Sequence, residues 1–442
     1  MCGFCSQVKA ITSSGNYISD GLVFGTSWDG PITFAFPNSA KDYGYTFEPG
    51  RNYAATTVGQ QTAALFALEQ SAGNSADDGF SVEGFTKLAI SEGGAASATV
   101  RFGQSDAPTT AYAYMPGTYE QAGDMWFGRT YDYTNAQAGN YAWHTVLHEI
   151  GHALGLKHGH EAQNGFAALP TEYDGLEYSL MTYRSYVGGS VGSYSYSSWS
   201  APQTYMMVDI AALQQLYGAD FTTNAGDTVY KWTPKSGDTL VNGKVGVDAG
   251  GKVIFATIWD GGGNDVYDLS AYSSNLRISL AAGESSNFGG AQLASLDVGQ
   301  KASGNIYNAM LYDNDDRSLI EGAIGGSGDD AITGNQAANL LAGGRGADKL
   351  SGGLGDDTLT GGKGNDVFHF AFGDGHDVIT DFGGGADAIE ISGFGLKGFD
   401  ELLFCATQMG KDVVIELEGG ASLTFRDVLV SGLGADQFTL YQ

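Results

Sequence analysis

The sequence predicts an α/β domain followed by an all-β domain of short parallel strands wound into a coil. Three observations predict it. Strand and helix patterns follow one another through the first half and end on the Ile210, Leu213, Leu216 stripe of Met207–Gly218. The second half is rich in Gly, Asn and Asp and carries a repeat with a period of nine. Five of the seven histidines are gathered between His144 and His160, on a helical pattern inside the first half. With 442 residues there is room for about two or three domains, each able to bury a core. The patterns divide the chain into an N-terminal segment 1–20, an α/β domain 21–220 and the coil 221–442.

Each element has its own reason. Gln7–Ile11 is the one periodic stretch of the N-terminal segment. Pro31–Pro37 (PITFAFP) alternates between two prolines and reads as a strand. Ala63, Leu65, Phe66 and Leu68 recur at helical spacing within Thr57–Gln70, ahead of a loop at Ser71–Asp78. Phe85–Ile90, Ala98–Phe102 and Ala111–Met115 read as strands, the last stopped by Pro116-Gly117. A helix from Trp143 follows, then a polar loop, the segment Ser179–Tyr183 and the helix ended by Gly218. Beyond Phe221 the character changes, and Lys252–Trp259 is apolar and β-rich.

Charge and cysteine content narrow the functions. Fifty acidic against 21 basic residues give a net charge of −29, which repels nucleic acid and anionic membrane surfaces. Dedicated calcium sites and a solubilising surface both account for such acidity. Cys2, Cys5 and Cys405 are too few for a disulfide framework, so stability must come from core and metals. No apolar run reaches the roughly 18 residues that a membrane span needs. The first residues lack a charged segment followed by an apolar one, so no Sec-type leader is visible. The protein therefore stays inside the cell or is exported by a route that reads another part of the chain.

The chemistry is concentrated in Trp143–His160. His148, Glu149, His152, Gly155 and His158 spell H-E-x-x-H-x-x-G-x-x-H. Residues four apart lie on one helix face, so His148 and His152 can offer two imidazoles to one ion. Glu149 can reach a water on that ion. Gly155 can take a left-handed conformation that ends the helix and returns His158 as a third ligand. Three neutral imidazoles and a water make an open tetrahedral zinc site, the catalytic type. The bland alternative, solvated helix histidines, does not account for Gly155 and His158 at these offsets.

The repeat runs GGSGDDAIT, GNQAANLLA, GGRGADKLS, GGLGDDTLT and GGKGNDVFH over 325–369. Its sixth position is Asp330, Asn339, Asp348, Asp357 and Asp366, and its eighth is Ile332, Leu341, Leu350, Leu359 and Phe368. A glycine-rich turn lets carbonyls crowd a cation while the Asp supplies charge. Three strand residues follow, with the apolar one pointing inward, so two repeats make one coil. A flexible linker would not hold these offsets over five units. The second unit lacks both early glycines, with Asn335 and Ala337 in their places, and has Asn339 for Asp, so its site is the weakest.

From about Gly21 to the C-terminus the chain resembles the serralysins, secreted metzincin zinc proteases with an RTX calcium β-roll. The resemblance rests on the histidine helix, on Ser179-Leu180-Met181-Thr182-Tyr183, on Asp209–Gly218 and on the nonapeptides. It implies an α/β metzincin catalytic domain at 21–220, a parallel β-roll with a C-terminal secretion signal at 221–442, and a candidate propeptide at 1–20. It implies one catalytic zinc on His148, His152 and His158, with Glu149 and Tyr183 catalytic and Met181 as the floor beneath the metal. Tyr183, and Cys2 or Cys5, are candidate further zinc ligands. An edge strand at Ala111, Tyr112 and Ala113 is expected to hold extended peptide substrates.

Several structural calcium ions are implied at Gly326, Gly328, Asp330, Gly344, Gly346, Asp348, Gly353, Gly355, Asp357, Gly362, Gly364 and Asp366. Asp260, Gly262 and Asp265 are expected to form an upstream site, and Asp374 and Asp381 to close the last turn. The implied protein is a monomer, secreted by type I machinery that reads its C-terminal end, and acting on polypeptides. His158-Gly159-His160 departs from the family's usual His-Pro, which makes His160 a rival for His158 that the Gly155 spacing disfavours. Cys2-Gly3-Phe4-Cys5 is a second departure. It reads as a thiolate lock on zinc, as a redox pair, or as incidental. Two other functions stay open: a calcium-binding surface or adhesion protein with a vestigial protease domain, and a narrow-specificity processing protease.

Overall fold

Strands and helices in the first half build a five-stranded sheet that carries the site. The computed structural model describes residues 8–70 and 75–441. The sheet order is Ile90–Glu92, Ile32–Ala35, Val100–Gln104, Asp124–Phe127 and Ala111–Ala113. Pairing is parallel except at the last junction, where Ala111–Ala113 runs antiparallel as the edge. Val100–Gln104 and Asp124–Phe127 are buried along their whole length, as strands covered on both faces must be.

The helix Val58–Leu68 begins at a Thr57/Gln60 capping box and packs on the helix Tyr141–Ala153. Asn140 starts the latter, its Oδ1 accepting from the Trp143 N–H at 2.8 Å. The expected strand Phe85–Ile90 is not one. Val82–Phe85 is a helical turn, because Ser81 Oγ accepts from the Gly84 N–H at 3.0 Å and Thr86 Oγ1 donates to the Val82 carbonyl at 2.7 Å. These local bonds override the alternation, and the strand starts only at Ile90. The expected Ala98–Phe102 strand is shifted to Val100–Gln104, and Ala111–Met115 is shortened to Ala111–Ala113.

In the second half the nonapeptides form a parallel β-roll. Ala331–Thr333, Lys349–Ser351, Val367–Ala371 and Ala388–Ser392 pair in parallel on one side. Gly322–Ile324, Leu340–Arg345, Thr358–Lys363 and His376–Ile379 do so on the other. Ile332 stacks on Leu350 and Leu350 on Phe368, and on the other side Leu341 stacks on Leu359, all buried. Successive coils lie backbone to backbone: Gly364 has φ 151°, and a Cβ there would overlap the Gly346 carbonyl oxygen.

Val8–Ala10 pairs antiparallel with Thr26–Trp28, which ties the N-terminal stretch to the first half. Cys2 and Cys5 lie outside the described residues, as does part of the loop expected after Gln70. Among the described residues no helix is long and apolar enough to cross a membrane.

Candidate active site

The helix Tyr141–Ala153 presents His148 and His152 on one face. It stops at Leu154 and Gly155, the glycine at φ 106°, and the chain turns back to bring in His158. One donor atom from each of the three imidazoles lies within 4.8 Å of the others. Their tautomers follow from the hydrogen bonds. His148 Nδ1 lies 2.8 Å from the Leu180 carbonyl and His152 Nδ1 lies 2.7 Å from the Leu156 carbonyl. A carbonyl only accepts, so both Nδ1 atoms carry the proton and both Nε2 atoms offer lone pairs. His152 Nε2 then faces His158 Nε2 at 3.0 Å.

His158 Nδ1 faces Glu161 Oε1 at 3.3 Å, and with the proton held on that side its Nε2 also offers a lone pair, so the three imidazoles fit one zinc ion. Burial pushes His148 down to about 4 and His152 to about 3, with His158 also far below its ordinary value. All three are therefore neutral near pH 7, the form in which an imidazole can bind a metal.

Glu149 is 5% exposed, its Oε2 is buried with no partner, and burial lifts it to about 8 against the pull of the Ala113 N–H. The expected base thus touches the expected substrate strand. Ala111 lines a narrow cleft with His148, Glu149, His144, Thr145 and Tyr183. Ala111–Met115 also line a wider one, of about 410 Å³, with Glu149, His152, His158 and Tyr183. Tyr183 stacks on His148 with ring centres 6.0 Å apart and lies tilted by 45° against His158 at 4.3 Å. Burial raises its hydroxyl to about 12, so it remains a proton donor. His160 does not join the three converging imidazoles. It groups instead with His158 and Glu161.

Met181 is fully buried, and a Cβ on Gly151 would lie 2.6 Å from its sulfur. The helix therefore needs Gly151 to settle on the methionine, a requirement invisible in sequence. Also unforeseen is the support of His148. Asp209 accepts from Ser179 Oγ at 2.6 Å, from the Leu180 N–H at 2.7 Å and from the Met206 N–H at 2.9 Å, and this fixes the Leu180 carbonyl on His148. Asp209→Ala strands three buried donors and is expected to cost about 3 kcal/mol or more in urea unfolding. Zinc affinity, read by competition with a chelating dye, should fall about tenfold or more.

In the roll, the Asp330 N–H donates to Asp348 Oδ1 at 2.8 Å and the Asp348 N–H to Asp366 Oδ1 at 2.9 Å. On the other side, Asn339 donates to Asp357 and Asp357 to Asp377, at 2.7 and 3.1 Å. Each ladder carboxylate spends one oxygen this way. The Oδ2 atoms of Asp348, Asp357 and Asp377 stay buried without a partner, as groups facing a cation would. Asp265 Oδ2, in the upstream cluster with Asp260, is likewise unpartnered, and the Gly262 N–H donates to Asp260 at 2.8 Å. Asp381 accepts from the Gly361 and Gly362 N–H groups, and Asp374 from the Ala371 N–H. Asp377 and Asp387, which continue the ladders, were not expected; the step there lengthens from 18 residues to 20 and 21.

Comparison with known proteins places these features. The Matrixin family model matches residues 92–171, and the model described as Peptidase M10 serralysin C terminal matches 219–437. Serralysin G of Dickeya chrysanthemi is 40% identical over 306 residues, 66% of this chain and 58% of that protein. Metallopeptidase AprA of Pseudomonas marginalis is 38% identical over 352 residues, covering 74% and 67%. Serralysin of Proteus mirabilis is 36% identical over 242 residues, covering 52% and 44%. The chain thus spans between 44% and 67% of the length of these relatives.

Proposed function

The chain belongs to the serralysin-type metalloproteases, and from that premise we propose that it is a secreted zinc-dependent endopeptidase acting on extracellular polypeptides. The observation that carries this is the convergence of His148, His152 and His158 beside a buried Glu149 that touches the substrate strand. Zinc supplies a Lewis acid that polarises the scissile carbonyl and acidifies a water. Glu149 takes that water's proton and hands it to the leaving amine. Tyr183, protonated and packed against His148 and His158, donates to the developing oxyanion. Ala111, Tyr112 and Ala113 hold the peptide by main-chain pairing, which gives broad sequence preference.

The protease domain ends near Asp220 in this reading. The roll beyond it binds several calcium ions at the ladder carboxylates and folds only where calcium is plentiful. An unfolded chain suits passage through a type I secretion channel, after which the protein acts as a monomer. Casein hydrolysis in excess calcium tests the enzyme. Activity should vanish with a zinc-selective chelator and return with zinc, and chelator-resistant or absent activity in zinc-loaded protein would refute it.

The N-terminal cysteines are read as a zinc lock. In its favour, Phe24, two residues before the strand that pairs with Val8–Ala10, lines the cleft with His152 and His158. Replacing Cys2 and Cys5 by Ser should then raise casein hydrolysis several-fold without change in Tm. Equal activity discards the lock and keeps the protease.

A further inference from the structure

We infer that His160 and Glu161, with the outer nitrogen of His158, form a second transition-metal site at the rim of the zinc cleft, whose occupancy inhibits the enzyme. His158 uses its two ring nitrogens in opposite directions. Nε2 faces His152 at 3.0 Å, and Nδ1 faces Glu161 Oε1 at 3.3 Å. The His160 ring lies nearly parallel to that of His158, 14° apart with centres 5.6 Å distant. One donor atom each from His158, His160 and Glu161 falls within 4.8 Å of the others. A tetrahedral ion with bonds of about 2.0–2.1 Å needs its donors about 3.3 Å apart, which His158 Nδ1 and Glu161 Oε1 already are, and rotation of the partly buried His160 and Glu161 side chains closes the set.

His160 Nδ1 points the same way: it is buried and has no hydrogen-bond partner. Such nitrogens are rare in folded proteins unless an ion or a water satisfies them.

Two imidazoles and one carboxylate select zinc or copper over calcium, so the calcium that the roll needs does not compete. Binding forms one bond each to His158 Nδ1, His160 and Glu161. The Nδ1–H bond of His158 breaks and its proton leaves to water, so His158 bridges the two ions. Glu161 and His158 both line the cleft along Ala111–Met115, so an ion held there stands where the peptide lies. The inhibition rests on the protease reading, whereas the binding does not.

The test is equilibrium dialysis of the full calcium-loaded chain against zinc, with metal counted by plasma emission. Wild type should bind two zinc ions per chain, one tightly and one at least about tenfold more weakly. Casein hydrolysis should fall as the second fills. His160→Asn should bind one, keep the activity of the one-zinc form and lose inhibition by excess zinc, with an unchanged melting curve. Should that variant fail to fold, Glu161→Ala gives the same stoichiometric reading. One zinc in wild type at hundredfold excess, or two in both variants, overturns the site. Two zinc ions in a chain that never cleaves casein would keep it and refute the protease.

Discussion

Replacing Glu149 by Gln should lower peptide hydrolysis about a thousandfold or more while zinc stays bound. The substitution keeps shape and keeps an oxygen to accept from the Ala113 N–H, but removes the basicity. Nothing else in the two clefts replaces it. Of the side chains beside the expected metal, His148, His152 and His158 are the proposed ligands, and Tyr183 is held as a donor with its hydroxyl near 12. Glu149 alone combines a carboxylate, near-complete burial and an oxygen without a partner. Burial by itself lifts it to about 8, and a bound dication a few ångströms away would lower it and favour the carboxylate that acts as base. Zinc content by plasma emission, the melting temperature and casein turnover together decide it. Activity within about tenfold of wild type, with zinc and Tm unchanged, would remove Glu149 from the mechanism.

Local spacing made much of this site legible. His148 and His152 share a face because a helix has one pitch, and Gly155 could be read as the turn because its positive φ is costly for other residues. The roll was legible for the same reason, since a fixed period records a fixed geometry. What sequence did not disclose depends on contacts between distant residues or on competition. The bond from Leu180 to His148 spans 32 positions and that from Asp209 to Leu180 spans 29, and no pattern in either segment marks them. Gly151 looks like an ordinary small helix residue until Met181 is placed against it. Phe85–Ile90 alternates like a strand, yet Ser81 and Thr86 close a helical turn into it. Asp377 and Asp387 escaped because the repeat lengthens, although each keeps a glycine-rich approach and an apolar residue two places on.

Without calcium, the second half should be more stable in acid than at alkaline pH, and calcium should reverse that order. Burial, the leading cause in each case, raises Asp348 and Asp357 to about 7 and Asp265 and Asp377 to about 8, from an ordinary value of 3.8. The fold therefore holds protons more tightly than the unfolded chain does. Their stabilising contribution is complete below about pH 4 and is lost as pH rises through 7 to 8. Calcium needs the same oxygens ionised, so its own contribution grows over that window. At a hundredfold excess over Kd each site adds about 2.7 kcal/mol, and several sites make this the largest stability effect in the molecule. Melting curves at pH 5 and pH 8, with calcium or with a calcium chelator, measure it. The calcium-induced rise in Tm should be large at pH 8 and small at pH 5.

The net charge of −29 offers a competing cause, because general repulsion also weakens in acid. Salt separates the two, since about 1 M potassium chloride shortens the screening length to about 3 Å and suppresses general repulsion but not a buried ladder. Asp348→Asn separates them further. Asn339 already serves as an uncharged rung, with its N–H on Asp357 and its amide nitrogen donating to the Glu321 carbonyl. A second neutral rung should raise the calcium-free Tm at pH 8 and shrink the calcium response. A calcium-free Tm that climbs from pH 5 to pH 8, or an Asp348→Asn variant with the full calcium response, would show that the ladder carboxylates do not hold the ions.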